Sequence, residues 1–183
     1  LGVRIFVSNP RDVAGVFKSL RDIGALIGDE RRASALVDSL RRAETRLRKN
    51  RPTGKPGVLM LLSLQPLMAA GGNTFINEVI TLAGGHNAAG ALSGNYPTLN
   101  REILLRLDPD LILYPDDMGV DETQLDDGFP EWKQLGAMQR GAMYRIDADR
   151  FLRPGPRLFE AAAELQQLMT RMEAVKNRPQ RGK

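Results

Sequence analysis

The chain has 183 residues, 42% of them hydrophobic, which suits one domain with a real core or one lobe with additional helices. No stretch approaches the length of a membrane-spanning helix, and the lack of cysteine excludes disulfides, thiol catalysis and cysteine–zinc sites. A single histidine, His86, excludes a histidine metal cluster and two-histidine chemistry, and the formal charge of +4 is modest, with much of the excess in the arginines of residues 31–51 and the terminal KNRPQRGK.

Residues 3–7 (VRIFV) read as a strand, so the chain enters directly on a strand and is expected to be a fragment or a processed product. Asn9-Pro10 then supplies a cap and a first-turn proline. Val13, Val16, Phe17, Leu20, Ile23 and Ile27 make a helical stripe ended by Gly28. Asp29 caps a second helix, with Ala33, Leu36, Val37, Leu40 and Leu47 as its apolar face. The pair predicts a protruding helical arm over residues 10–50. PTGKPG, residues 52–57, is a breaker loop and marks a domain boundary.

Next, VLMLLSL (58–64) is a continuous apolar strand, QPLMAAGGN a loop, and FINEVITLA a helix stopped by Gly84-Gly85. In YPTLNREILLRLDPDLILYP (96–115), Asn100 caps a helix and Glu102 suits the positive end of its dipole. Ile103, Leu104 and Leu107 share one face, Pro109 stops the helix, and LILY reads as a strand buried on both faces. EWKQLGAM predicts a short helix and AMYRI a third strand. The closing helix is PGPRLFEAAAELQQLMTRMEAV, with Pro154 or Pro156 near its start, and the terminal NRPQRGK reads as disordered. The alternation predicts an α/β fold: a three-layer, Rossmann-like lobe with a mostly parallel sheet, preceded by the long helical arm.

Ligands gather at the carboxyl ends of such strands. Loops 65–73, 115–120 and 147–153 leave those ends, and Tyr96 lies in a further loop just before a helix that leads back to the sheet, which brings Met68, Tyr96, Asp149 and Arg153 into consideration as one rim. Gly71-Gly72-Asn73-Thr74 before a helix offers backbone N–H groups to a phosphate. It lacks the P-loop Lys-Ser/Thr and the full GxGxxG spacing, which favours a plain tight turn. His86 after two glycines favours a loop-stabilising role. Asp116-Asp117 and Asp126-Asp127 are acidic pairs of the kind that either bind a cation or are simply solvated. The basic run of residues 31–51 is interleaved with Asp38 and Glu44 and with apolar positions, which favours a solvated helix face over a nucleic-acid surface. Arg153 and Arg157 also suit ion pairs at a helix start, and Tyr96 also suits packing beneath a loop.

Taken together, LGVRIFVSNP leading into a helix, GNTFINEVITLAGGHNAA, YPTLNREILLRLDPDLIL, EWKQLGAM and YRIDADRFLRPGPRLFEAAAEL resemble, in this order, the substrate-binding proteins of bacterial ABC importers for ferric siderophores and cobalamin. The resemblance implies two α/β lobes joined by a long helix, with the ligand between them. On that reading residues 1–9 are the last strand of an amino-terminal lobe, which is missing. Residues 10–56 are the interlobe helical segment and linker, 57–175 the carboxyl-terminal lobe, and 176–183 a tail. It implies ligand contacts at Met68, Tyr96, Asp149 and Arg153, permease docking through Glu102, and no catalytic residue, cofactor or resident metal. The ligand would be a ferric siderophore, haem or cobalamin, and the partner a membrane ABC permease, with no nucleic acid. The location would be periplasmic, or extracellular and membrane-anchored. An apolar segment 1–9 without its neighbours would also favour self-association. The competing reading is a subdomain of a tetrapyrrole- or nucleotide-handling enzyme with a similar parallel sheet, and a basic nucleic-acid-binding module is a third.

Overall fold

The computed structural model describes residues 5–119 and 130–176. Two helices lead, α1 (Val13–Ile27) and α2 (Glu30–Lys49). The cap of α1 is Asp12, whose Oδ1 accepts the Gly15 N–H at 2.6 Å. Asn9-Pro10 therefore lies before the helix, because a carboxylate next to the first apolar position satisfies a first-turn donor directly. Gly28 ends α1 with φ of 72°, a conformation glycine adopts without a Cβ penalty. Asp29 then caps α2, accepting the Arg32 N–H at 3.2 Å.

The pair does not stand away from the rest of the chain. Val13, Val16, Phe17, Val37 and Leu47 belong to the same hydrophobic core as the sheet, and Phe17 stacks on Phe159 at 5.8 Å between ring centroids. Ile23, Ile27 and Leu36, expected on the buried face, are exposed. They lie toward the Gly28-Asp29 turn that joins the two helices. The expected strand at 3–7 is not seen either: residues 5–7 carry no strand, and Ile5 is 81% exposed. Residues 3 and 4 lie outside the described residues. A strand is defined by its ladder, and among the described residues no segment pairs with residues 5–7.

The sheet is formed by β1 (Gly57–Leu64), β2 (Leu67–Ala69), β3 (His86–Asn87), β4 (Leu111–Pro115) and β5 (Met143–Ile146). Its order is β2-β1-β4-β5, with β3 also paired to β1. Every pairing is parallel except β1 with β2, and the register sets Val58 beside Leu111 and Ile112 beside Met143. The connecting helices are α3 (Phe75–Ala83), α4 (Arg101–Leu107), α5 (Gly136–Gln139), α6 (Ala148–Phe151) and α7 (Leu158–Lys176). The step from β1 to β3 goes one way and the step from β3 to β4 the other, so right-handed crossovers place α3 and α4 on opposite faces. α3 packs with α2 and α7, and α4 with the 3-10 turn Pro130–Gln134. The fold is the expected mixed α/β lobe with a mostly parallel sheet.

Several details differ from expectation. The loop 65–73 contains β2, and His86 lies in β3 rather than in a loop. The segment 131–138 is a 3-10 turn followed by α5, because the Gly136 N–H is drawn to Asp108 Oδ1 at 2.9 Å and the helix restarts there. The loop 147–153 holds α6. The last helix starts at Leu158, beyond both prolines, and runs through Lys176. Asp126-Asp127 and residues 177–183 lie outside the described residues.

Leu59, Met60, Leu61, Leu111, Ile112 and Leu113 have no exposed surface, each stabilising the fold by about 1.5–3 kcal/mol relative to exposure. Gln166 of α7 is also buried, and its Nε2 donates to Leu47 O at 2.9 Å and Ala83 O at 3.1 Å. Those carbonyls belong to the last turns of α2 and α3, where no intrahelical donor remains. One side chain thus closes two helix ends. Gln166→Ala should cost about 1–3 kcal/mol by stranding buried acceptors. Arg48→Ala, which removes the exposed 2.7 Å pair with Glu44, should cost less than about 0.5 kcal/mol. Urea unfolding with an unchanged slope checks both.

Candidate functional site

The parallel strands β1, β4 and β5 point their carboxyl ends to one edge. After β1 the chain folds back as β2, and residues 95–99 run alongside it. Met68 bridges Thr98. Leu99 N–H donates to Leu67 O at 2.8 Å, Ala69 N–H to Pro97 O at 3.1 Å, and Gly71 N–H to Asn95 O at 2.8 Å. These bonds fix the backbone on both sides of Tyr96. Pro97 and Leu99 turn inward, while Tyr96 is left 54% exposed.

Two glycines permit this close approach. A Cβ on Gly71 would lie 2.5 Å from Gly94 O, and one on Gly72 would lie 2.3 Å from Gly90 O. Gly71-Gly72 therefore serves backbone packing, and the Gly71 N–H is already bonded to Asn95 O. Thr74 caps α3, its Oγ1 donating to Gly71 O at 2.8 Å and accepting the Asn77 N–H at 3.3 Å.

The opposite rim is tied in a different way. Asp116 Oδ1 accepts the Ala148 N–H at 3.1 Å, joining the segments after β4 and β5. Asp147 caps α6 by accepting the Arg150 N–H at 3.0 Å, and Arg150 Nη1 reaches Glu164 on α7 at 3.0 Å. Asp116 of the Asp116-Asp117 pair is thus engaged with backbone. Beyond this anchor Asp149 and Arg153 pair with each other at 2.6 Å, both exposed.

Between the rims lies a cleft of about 410 Å³. It is lined by Arg11 from the segment before α1, Asn73 and Phe75 at the start of α3, Tyr96, and Leu152 and Pro154 after α6. Of the residues singled out in the sequence, Tyr96 lines this cleft. Met68 is held beside Thr98, and the Asp149–Arg153 pair flanks the cleft at Leu152 and Pro154 without lining it. Arg11 was not foreseen: a cap at Asn9-Pro10 places it inside the first helical turn, whereas the Asp12 cap leaves it ahead of the helix. Asp12 directly before Val13 was the available signal.

The remaining candidates have local roles. His86 donates from Nδ1 to Lys55 O at 2.7 Å. Arg41 lies over the Phe17 ring at 5.6 Å, and Arg48 pairs with Glu44. Glu102 sits in the first turn of α4, 84% exposed and 3.9 Å from Arg106. Among the described residues, no group of three or more His, Asp or Glu side chains is placed to hold a metal ion.

Residues 2–150 match the family model described as "Periplasmic binding protein". The chain belongs to the periplasmic binding protein family. This periplasmic binding protein chain is 28% identical over 164 residues to a Bacillus subtilis protein named "Uncharacterized ABC transporter substrate-binding lipoprotein YvrC", covering 87% of this chain and 51% of that one. It is 26% identical over 166 residues to a "Vitamin B12-binding protein" of Photorhabdus laumondii, covering 90% and 58%. It thus spans about half the length of the curated relatives it matches. Among solved structures, the periplasmic haem-binding protein HutB of Vibrio cholerae superimposes with a TM-score of 0.82 at 22% identity, over 92% of this chain and 68% of that one. That likeness establishes the lobe fold.

Asp147 gives the rim a pH signature. Its carboxyl is held below the ordinary value of 3.8 mainly by the Arg150 backbone N–H, with the Arg150 guanidinium adding to the effect. A carboxylate with a depressed folded-state pKa contributes stability that is present above the unfolded value and lost as pH falls through the folded one. Asp147→Asn should therefore flatten the acid-side fall in melting temperature below the ordinary value of 3.8. A melting series in acid buffers, with wild type alongside, checks this.

Proposed function

We propose that this chain belongs to the solute-binding component of an ABC importer, supplying the interlobe helices and carboxyl-terminal lobe, and that its ligand is a ferric siderophore, haem or cobalamin. The family assignment supports this reading, and the observation that carries it is the cleft at the carboxyl ends of the strands with a half-exposed Tyr96 on its wall. An aromatic face left open to solvent, with its backbone pinned on both sides, suits a flat or apolar ligand body. Met68, Asp149 and Arg153 would extend the contact along the rims. The relatives' names point to B12 and to substrate-binding lipoproteins, which agrees with a periplasmic or membrane-anchored location. The site reads as a binding surface rather than a catalytic one, since it works by shape and contact. Ile5, Phe6 and Val7 are exposed, so this segment would also pair with another copy of the chain at high concentration.

Tyr96→Ala in the intact protein should weaken binding of the natural ligand by about 1–3 kcal/mol, the value of a buried aromatic wall. A screen of the intact protein against ferric siderophores, haem and cobalamin identifies that ligand. Affinity that does not change on Tyr96→Ala would remove this residue from the site.

Glu102 would meet a permease arginine. Glu102→Arg sets like charges together at the docking surface, so uptake should fall on the order of tenfold or more. Ligand affinity and melting temperature should stay put, because the side chain is exposed and takes no part in the core. Measuring uptake, affinity and melting on the one variant separates docking from folding; normal uptake would leave Glu102 as a helix-start acid only.

A further inference from the structure

We infer that the cleft selects ligands carrying a free carboxylate or equivalent anionic group, and that Arg11 makes the selection; this rests on the solute-binding reading above. Three observations carry it. Among the described residues that line the cleft there is no Asp or Glu, and Arg11 is the only charged side chain. Among the described residues, Arg11 takes part in no ion pair. By contrast, Arg153 is paired with Asp149 at 2.6 Å, so that neighbouring unit sums to zero charge. Another part of the lining adds to the same sign: α3 begins at the cleft with Thr74 and Phe75, and a helix start carries the positive end of its dipole.

The geometry matches a ligand with two different parts. Tyr96 offers an aromatic surface to the ligand body, while Arg11, which lines the same cleft, offers a planar fork of N–H donors whose hydrogen bonds a carboxylate accepts in bidentate fashion. An ester or amide keeps the acceptor oxygen but loses the charge and the second acceptor. Such a charge-assisted contact changes affinity by about ten- to a hundredfold.

The test uses the intact protein and two pairs of probes: haem with haem dimethyl ester, and the carboxylic acid derivative of cyanocobalamin with cyanocobalamin itself. In wild type, the acid of at least one pair should bind tenfold or more tightly than its neutral counterpart. Arg11→Gln should close that gap by weakening the acid alone, Arg11→Lys should keep part of it, and Arg48→Gln, on α2 outside the cleft lining, should leave it intact. Melting temperatures should be unchanged, since Arg11 is exposed and holds no ion pair. Equal binding of acid and neutral forms, or a gap that survives Arg11→Gln, overturns this inference and leaves the solute-binding reading standing. Failure of all four probes to bind wild type, with a ferric siderophore bound instead and bound equally by wild type and Arg11→Gln, overturns this inference alone; failure of the ferric siderophores as well overturns both.

Discussion

Burying β1 and β4 on both faces is the constraint on which the rest of the structure depends. Strands made of Leu, Met and Ile with no exposed surface require cover above and below, and the helices on the two faces supply it. Nothing polar can be placed within that sandwich without a partner. Charged and hydroxyl groups are therefore confined to the strand ends. At the amino edge they are engaged in structure: Asp110 Oδ2 accepts the Gly57 N–H at 2.9 Å, and Asp108 Oδ1 accepts the Gly136 N–H at 2.9 Å. The Asp-Pro-Asp step before β4 thus pins the start of β1 and the start of α5. The carboxyl edge is where polar groups remain available to a ligand.

That edge is assembled from three separately anchored pieces. Residues 95–99 are zipped to β2 by backbone bonds, which positions Tyr96. The segments after β4 and β5 are joined through Asp116 and tethered to α7 by Arg150. Arg11 arrives from a third direction, ahead of α1, and its position depends on how α1 docks. The Phe17–Phe159 stack and Arg41 over the Phe17 ring fix that docking. Gln166 does the same for the end of α2. A packing defect well away from the cleft would therefore move one wall relative to the other.

Long periodic elements were legible in the sequence because their signals are local. The stripe of α1, the caps at Asp29 and Asn100, the stop at Gly28 and the apolar runs of β1 and β4 all depend on neighbours within a turn or two. β2, β3 and α6 have two to four residues each. They exist because a distant partner is in place, and no periodicity can show in so short a run. Ile23, Ile27 and Leu36 fit a helical stripe yet are exposed, since period reports a face and says nothing of what covers it. The order of motifs pointed to the family and to Tyr96. The cleft itself depends on Gly71 and Gly72 passing against residues 90–94, a contact between segments some twenty residues apart. Arg11 was hidden by a shift of three residues, from Asn9 to Asp12, in the cap of α1.

Charge at the cleft does not act alone. Two unit charges 4 Å apart interact by about 1 kcal/mol in bulk water and about 4 kcal/mol at the effective dielectric near a protein surface. The other polar groups along the cleft include the amides of Asn9, Asn73 and Asn95, which hydrogen-bond acids and amides alike and so discriminate little. Discrimination by Arg11 is accordingly weak while the cleft stands open to water. On the proposed reading it would grow as a ligand body covers Tyr96 and expels solvent from the cleft. The aromatic surface and the guanidinium are then coupled through the dielectric: loss of Tyr96 would also weaken the charge selectivity, even though Tyr96 carries no charge. Selectivity in such a site belongs to the closed complex rather than to any one residue.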